Sequence, residues 1–254
     1  MEPIFIVLYI YMFVLGASIA SFINVVIYRV PLEISVAKGR SFCPKCQKTL
    51  KPYDMIPVLS WFILKGKCRF CGEPISFRYP AIEFVGGLLA IICFYRYGID
   101  WMTLISFSFS MILLAICMID YDIMIIPNGL VICCFIVGLL SIPALDISLF
   151  DRIIGFFIVS APLYILTLII PDCFGGGDIK LFAVGGMLMG YQSLLVGAFI
   201  SIVIAGVYGG YLMITHKVDK KDHMAFGPYI CFGLFVSLLY GQEILNIYLR
   251  LFGL

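Results

Sequence analysis

Long apolar runs recur along most of this chain, and they constrain its fold more than any other feature. They fall at about residues 4–27, 81–97, 101–119, 128–145, 152–170, 179–191, 193–214 and 226–249. A helix that crosses a bilayer needs about 20 largely apolar residues. Of the 254 residues, 63% are apolar or aromatic and only 13% are charged. Soluble domains sit near 45–50% and about 25%, so a water-soluble globular fold is excluded. An outer-membrane barrel fails as well, because its strands alternate apolar and polar residues instead of running apolar throughout. The fold expected is an all-α polytopic membrane protein of about eight transmembrane helices. The opening run has no basic segment before it and is long enough to span, so it reads as a helix and not as a cleaved signal.

Three parts follow along the chain: a first helix over 1–27, a polar segment over 28–79, and a membrane core over 80–254. The net charge of +2 becomes informative once it is mapped. Ten Lys and Arg residues fall between Arg29 and Arg78. With eight helices, Lys180, Lys217, Lys220 and Lys221 join them on one side, and only Arg96, Arg152 and Arg250 fall on the other. Basic loops stay in the cytoplasm. The fourteen-to-three division therefore places 28–79 inside and both termini outside.

The polar segment carries Cys43-Pro44-Lys45-Cys46 and, after 21 intervening residues, Cys68-Arg69-Phe70-Cys71. Two Cys-x-x-Cys knuckles at this spacing suit a structural zinc held by four thiolates. A cytoplasmic setting disfavours stable disulfides, although two redox-active pairs are the competing reading. A segment with so few large apolar residues has little core of its own, and a metal would supply its fold. The other six cysteines, Cys93, Cys117, Cys133, Cys134, Cys173 and Cys231, lie in or beside apolar runs. Buried free thiols are ordinary there, and none is given a role.

Carboxylates at membrane depth are costly and therefore informative. Asp120 and Asp122 close the third run, and Asp178 follows Gly175-Gly176-Gly177 at the start of the sixth. In the expected topology all three reach the cytoplasmic interface. Two carboxylates that meet in a low-dielectric site share a proton, giving an acid and a base together. The glycines permit close backbone packing, which would let Asp178 reach the third helix. The alternative is that these are helix-end residues in water, with Asp178 as an N-cap. Spacing alone does not choose between the two. His216 and His223 read as solvated loop residues.

Six segments in order resemble the bacterial type IV prepilin leader peptidases, membrane aspartic proteases of the GxGD class. Gly16-Ala17-Ser18-Ile19-Ala20-Ser21-Phe22-Ile23-Asn24 through Pro31 is similar to the family's first-helix signature, with Ala20 where a glycine is usual. The paired knuckles, Arg78-Tyr79-Pro80 with Glu83, Asp120 seven residues before Pro127, Gly175-Gly176-Gly177-Asp178-Ile179-Lys180-Leu181, and Phe226-Gly227-Pro228 complete the match. The resemblance implies that Asp120 and Asp178 are the catalytic pair, whereas Asp122 falls off the motif's position. It further implies an enzyme of the bacterial cytoplasmic membrane, working at the cytoplasmic face. Such an enzyme cuts the basic leader from prepilins or pseudopilins after a glycine. It then commonly methylates the new N-terminus with S-adenosylmethionine. The expected partners are those precursors and membrane lipid, with no nucleic acid. The methyl-donor residues do not follow from the motifs, and the chain has no Rossmann-type glycine pattern in a strand-to-helix context. The rival from another class is a proton- or ion-coupled transporter using Asp120 and Asp178.

Overall fold

A computed structural model describes residues 3–170, 173–215 and 224–253. His216, His223, Lys217, Lys220 and Lys221 lie outside the described residues. All regular structure among the described residues is helical, apart from two isolated antiparallel bridges in the polar segment, Phe42 to Thr49 and Lys67 to Pro74. The chain divides into two compact units, 1–103 and 104–254.

The first unit is built on α1 (Pro3–Arg29) and α3 (Arg78–Tyr97), with the short α2 (Leu59–Ile63) between them in sequence. Helices in lipid gain little from hydrophobic burial and associate through close packing of small residues. Here Gly16 meets Gly86 and Ala90, while Ala20, fully buried, lies against Gly86. A Cβ on Gly86 would collide with the Ala20 methyl. The missing side chain on α3 therefore makes room for the alanine where a glycine is usual. Ile4, Val7, Ile10 and Val14 remain exposed on α1, as a lipid-facing surface requires.

The polar segment between them is held by specific polar contacts more than by a core. Arg29 is buried, and its Nη1 donates to the carbonyl oxygens of Ser35 at 3.0 Å and Lys38 at 2.7 Å. Arg69 Nε donates to the buried Asp54 at 2.7 Å. Trp61 donates from Nε1 to the Ile75 carbonyl at 2.9 Å and meets Phe77 edge to face.

The second unit contains most of α4 (Trp101–Ile123), then α5 (Asn128–Leu140), α6 (Leu149–Ile158), α7 (Ser160–Ile169), α8 (Gly176–Ile214) and α9 (Gly227–Leu251). Phe109, Ile116 and Ile119 of α4 are completely buried. Helix α8 packs against α5, α6, α7 and α9. Its small residues again make the closest approaches, Gly186 to Gly155 of α6, and Gly197 and Ser201 to Gly233 of α9.

By length and composition, six helices among the described residues are fit to cross a membrane, against about eight expected. Each expected run does fall on helix, but two of them share the 39-residue α8. A straight helix of that length would measure about 58 Å, nearly twice the hydrocarbon thickness of a bilayer. Gly190, at φ 75° and ψ 171°, breaks it near the middle in a conformation that other residues rarely reach. Helix α5 has 13 residues, which gives about 20 Å, too short for an independent span.

Arg152, expected on the sparsely basic side of the chain, is 2% exposed. Its Nη1 donates to Ser141 Oγ and to the carbonyls of Met187 and Leu188 at 2.8–3.0 Å. Nη2 donates to the Ser141 carbonyl at 3.2 Å. One guanidinium thus satisfies carbonyls left over at the end of α5 and just before the break in α8, where a cation also complements the helix dipoles.

Candidate active site and metal centre

Asp120 occupies the last turn of α4 and Asp178 the first turn of α8. Both are buried, at 5% and 8% exposure. They are near enough to interact electrostatically. Asp122 lies two residues further along α4 and is exposed, as the helical rotation of about 200° over two residues requires. Helix phase therefore separates the two acidic residues of this turn. Only Asp120 faces the interior.

A third helix contributes through its backbone. Gly227, the first residue of α9, donates its N–H to Asp120 Oδ2 at 2.9 Å. A Cβ at that position would stand 2.6 Å from the same oxygen, so the approach is open to glycine alone. Asp178 is set by its own turn, with its N–H donating to the Gly175 carbonyl at 3.0 Å. Gly177 presses against Ile126 in the α4–α5 connection, where a Cβ would come within 2.6 Å of the isoleucine. Lys180 Nζ donates to Asn128 Oδ1 at 2.8 Å and ties the start of α8 to the start of α5. Phe226 sits between the rings of Phe174 and Phe182, at 6.1 and 6.4 Å.

Two residues here were not reached by sequence reasoning. Gly227 was visible only as part of Phe226-Gly227-Pro228, without its hydrogen bond to a carboxylate 107 residues earlier. Cys231, set aside as an ordinary buried thiol, is buried on α9 one turn beyond Gly227. A single cysteine one turn beyond the glycine carries no sequence signal of its own.

In the first unit, Cys43, Cys46, Cys68 and Cys71 bring their sulfurs within 4.8 Å of one another. Cys43 and Cys71 are 3.9 Å apart through sulfur. Four thiolates around a tetrahedral zinc at about 2.3 Å would stand about 3.8 Å apart, so the donor set fits a metal with little adjustment. The two knuckles are one design used twice. Cys43 N–H donates to the Lys48 carbonyl and Gln47 N–H to that of Cys43; Cys68 N–H donates to Glu73 and Gly72 N–H to Cys68. The residue after each second cysteine, Gln47 or Gly72, takes a positive φ of 57° or 74°. Backbone hydrogen bonds from Cys71 and Phe70 lower the Cys68 thiol to about 7. Cys71, despite its backbone hydrogen bond with Glu73, is pushed up to about 11 by burial and the neighbouring sulfurs. The thiolate that a metal needs is therefore favoured at Cys68 and not at Cys71.

Comparison with known proteins gives matches to both units. The model of the bacterial peptidase A24 N-terminal domain matches residues 14–97, and that of the type IV leader peptidase family matches residues 107–210. A prepilin leader peptidase/N-methyltransferase of Bacillus subtilis (strain 168) is 34% identical over 242 residues, covering 94% of this chain and 97% of that protein. A protein of the same name from Stutzerimonas stutzeri is 29% identical over 93% of this chain and 92% of its own. One from Myxococcus xanthus (strain DK1622) is 34% identical over 81% of this chain and 63% of its own. No solved structure matches the chain.

Proposed function

Because this chain belongs to the type IV leader peptidase family, we propose that it is a membrane aspartic endopeptidase with Asp120 and Asp178 as its catalytic carboxylates. Its substrates are prepilins or pseudopilins, which it cuts after a glycine to remove the basic leader. It then N-methylates the new N-terminus. The observation that carries this reading is the burial of two carboxylates from α4 and α8 within electrostatic reach of each other. No observation favours a transport path through the same residues.

The pair holds one proton between two carboxylates. The ionised member takes a proton from a water as its oxygen attacks the scissile carbonyl. The protonated member hydrogen-bonds the carbonyl oxygen. As the tetrahedral centre collapses, the C–N bond breaks and the proton passes from the pair to the leaving amine. The Gly227 N–H fixes Oδ2 of Asp120 and so orients that carboxylate on its helix. The concentration of basic residues in 28–79 supports a cytoplasmic site.

Zinc is the metal that this four-thiolate set suits best, and its role is to fold the polar segment. When bound, S-adenosylmethionine would supply an electrophilic methyl group to the free amine, which would release a proton to water and leave S-adenosylhomocysteine. The direct test is to incubate the purified protein with a prepilin and S-adenosylmethionine and to read product masses. The expected product lacks its leader and carries one methyl group. An intact prepilin would overturn the peptidase reading, and a cleaved but unmethylated product would remove the second activity.

A further inference from the structure

A cavity of about 440 Å³ lies wholly within the first unit, walled by α1, the first turns of α3 and the four-cysteine segment. Sites for cofactors and drug-sized ligands typically measure about 300–1,000 Å³ and combine apolar walls with a few placed polar groups. The aromatic faces here come from Tyr28, Trp61 and Tyr79, and the polar groups include Asn24 and Glu83.

Glu83 is the informative residue. It stands in an apolar helix fit to span the membrane, where a carboxylate is expensive unless it is partnered or functional. Neither of the two ion pairs found among the described residues involves it. Its Oε2 accepts from the Val58 N–H at 2.7 Å, and the Ser21 side chain also hydrogen-bonds the carboxylate. Val58 adopts φ 63°, a left-handed conformation that is strained for a β-branched residue. Strain of this kind persists where the surroundings enforce it, often beside a ligand. Asn24 is 8% exposed and donates from Nδ2 to the Tyr79 carbonyl at 3.2 Å, which fixes a second polar group on the wall. The cavity therefore offers a held carboxylate outside any ion pair, a buried amide and several aromatic side chains, while the two cations on its wall are engaged elsewhere, Arg29 with backbone carbonyls and Lys45 with Glu73. That donor set fits a molecule with a cationic group and a flat heteroaromatic ring.

We propose that this cavity is the S-adenosylmethionine site, with Glu83 recognising the cationic part of the molecule and the aromatic walls its adenine. The proposal rests on the methyltransferase reading above and supplies the residues for it. A ligand cation would add to these hydrogen bonds the opposite charge that a carboxylate in an apolar helix lacks.

Binding is measured on the full chain in detergent, by calorimetry with S-adenosylhomocysteine and by ultraviolet crosslinking of labelled S-adenosylmethionine. The expected result is that Glu83→Gln weakens S-adenosylhomocysteine binding at least tenfold while the protein stays monodisperse and keeps its metal. Crosslinking needs no variant, and mapped peptides should fall within 21–29, 41–50, 54–68 or 73–83. Unchanged binding by a well-behaved Glu83→Gln protein, or a crosslink in 104–254, overturns the cavity assignment while the methyltransferase reading stands. A variant that binds the nucleoside normally but loses affinity for a prepilin peptide also overturns it, and makes the cavity a peptide site. An unaltered protein that neither binds S-adenosylhomocysteine nor methylates a processed prepilin sinks the methyltransferase reading itself.

Discussion

The turn that ends α4 carries two aspartates with opposite surroundings, one buried and one exposed. Their substitution separates catalysis from fold. Asp120→Asn and Asp178→Asn should each lower leader cleavage by about 10²–10⁴-fold, because asparagine keeps the shape and loses the acid–base function. Asp122→Asn should keep a substantial part of the activity. Gly227→Ala belongs in the same series, since its methyl would stand 2.6 Å from Asp120 Oδ2. Displacing a catalytic group by about 1 Å costs about 10²-fold, so this silent-looking change should approach the loss seen in the aspartate variants. The wild-type pH profile should be bell-shaped, with two apparent pKa values that belong to the pair and not to named residues. Initial cleavage rates across pH check all of this, after monodispersity is confirmed. An active Asp120→Asn beside an inactive Asp122→Asn would move the role to Asp122. Spacing alone left Asp120 and Asp178 open between a pair and two helix ends, and the family resemblance singled them out; the Gly227 hydrogen bond was out of reach altogether, because it joins residues 107 apart in sequence.

Among the elements, the four-cysteine segment has the least means of holding itself together. Its regular structure is two isolated bridges, one turn over Pro52–Met55 and the five-residue α2. Purified protein should contain about one zinc per chain, and Cys46→Ser or Cys71→Ser should lower that content. Chelation should expose the segment to protease while leaving the membrane helices intact. Cys43 and Cys68 also wall the 440 Å³ cavity, so metal loss should weaken S-adenosylhomocysteine binding in step. A metal-free protein with a protected segment and full binding would refute this. The knuckles were legible because ligand spacing is local in sequence. The cavity was not, because it needs Asn24, Trp61 and Glu83 brought together from three separate elements.

For the molecule as a whole, apolar length made the helices legible, and the exact number of spans is what length alone left open, with six described helices fit to cross against about eight expected. The residues that divide or shorten a run, Gly190 in α8 and Ser141 after α5, act through φ and through leftover carbonyls, which average hydropathy does not register. The charge asymmetry predicts a cytoplasmic 28–79 segment and external termini. Reporter fusions at Lys51 and Leu254 should report opposite sides, and a cytoplasmic report at Leu254 would break the eight-span reading. The division into units predicts that the two activities are separable: Asp178→Asn protein should still methylate a pre-cleaved peptide, and failure to do so would merge the sites. The walls of the cavity are drawn from residues 21–83 and the carboxylate pair from residues 120 and 178, on either side of the boundary near residue 103. A single recombination crossover in the turn around Gly98 would therefore exchange one chemistry without disturbing a residue of the other. Chimaeras joined at that turn should keep the specificity of whichever parent supplied each part.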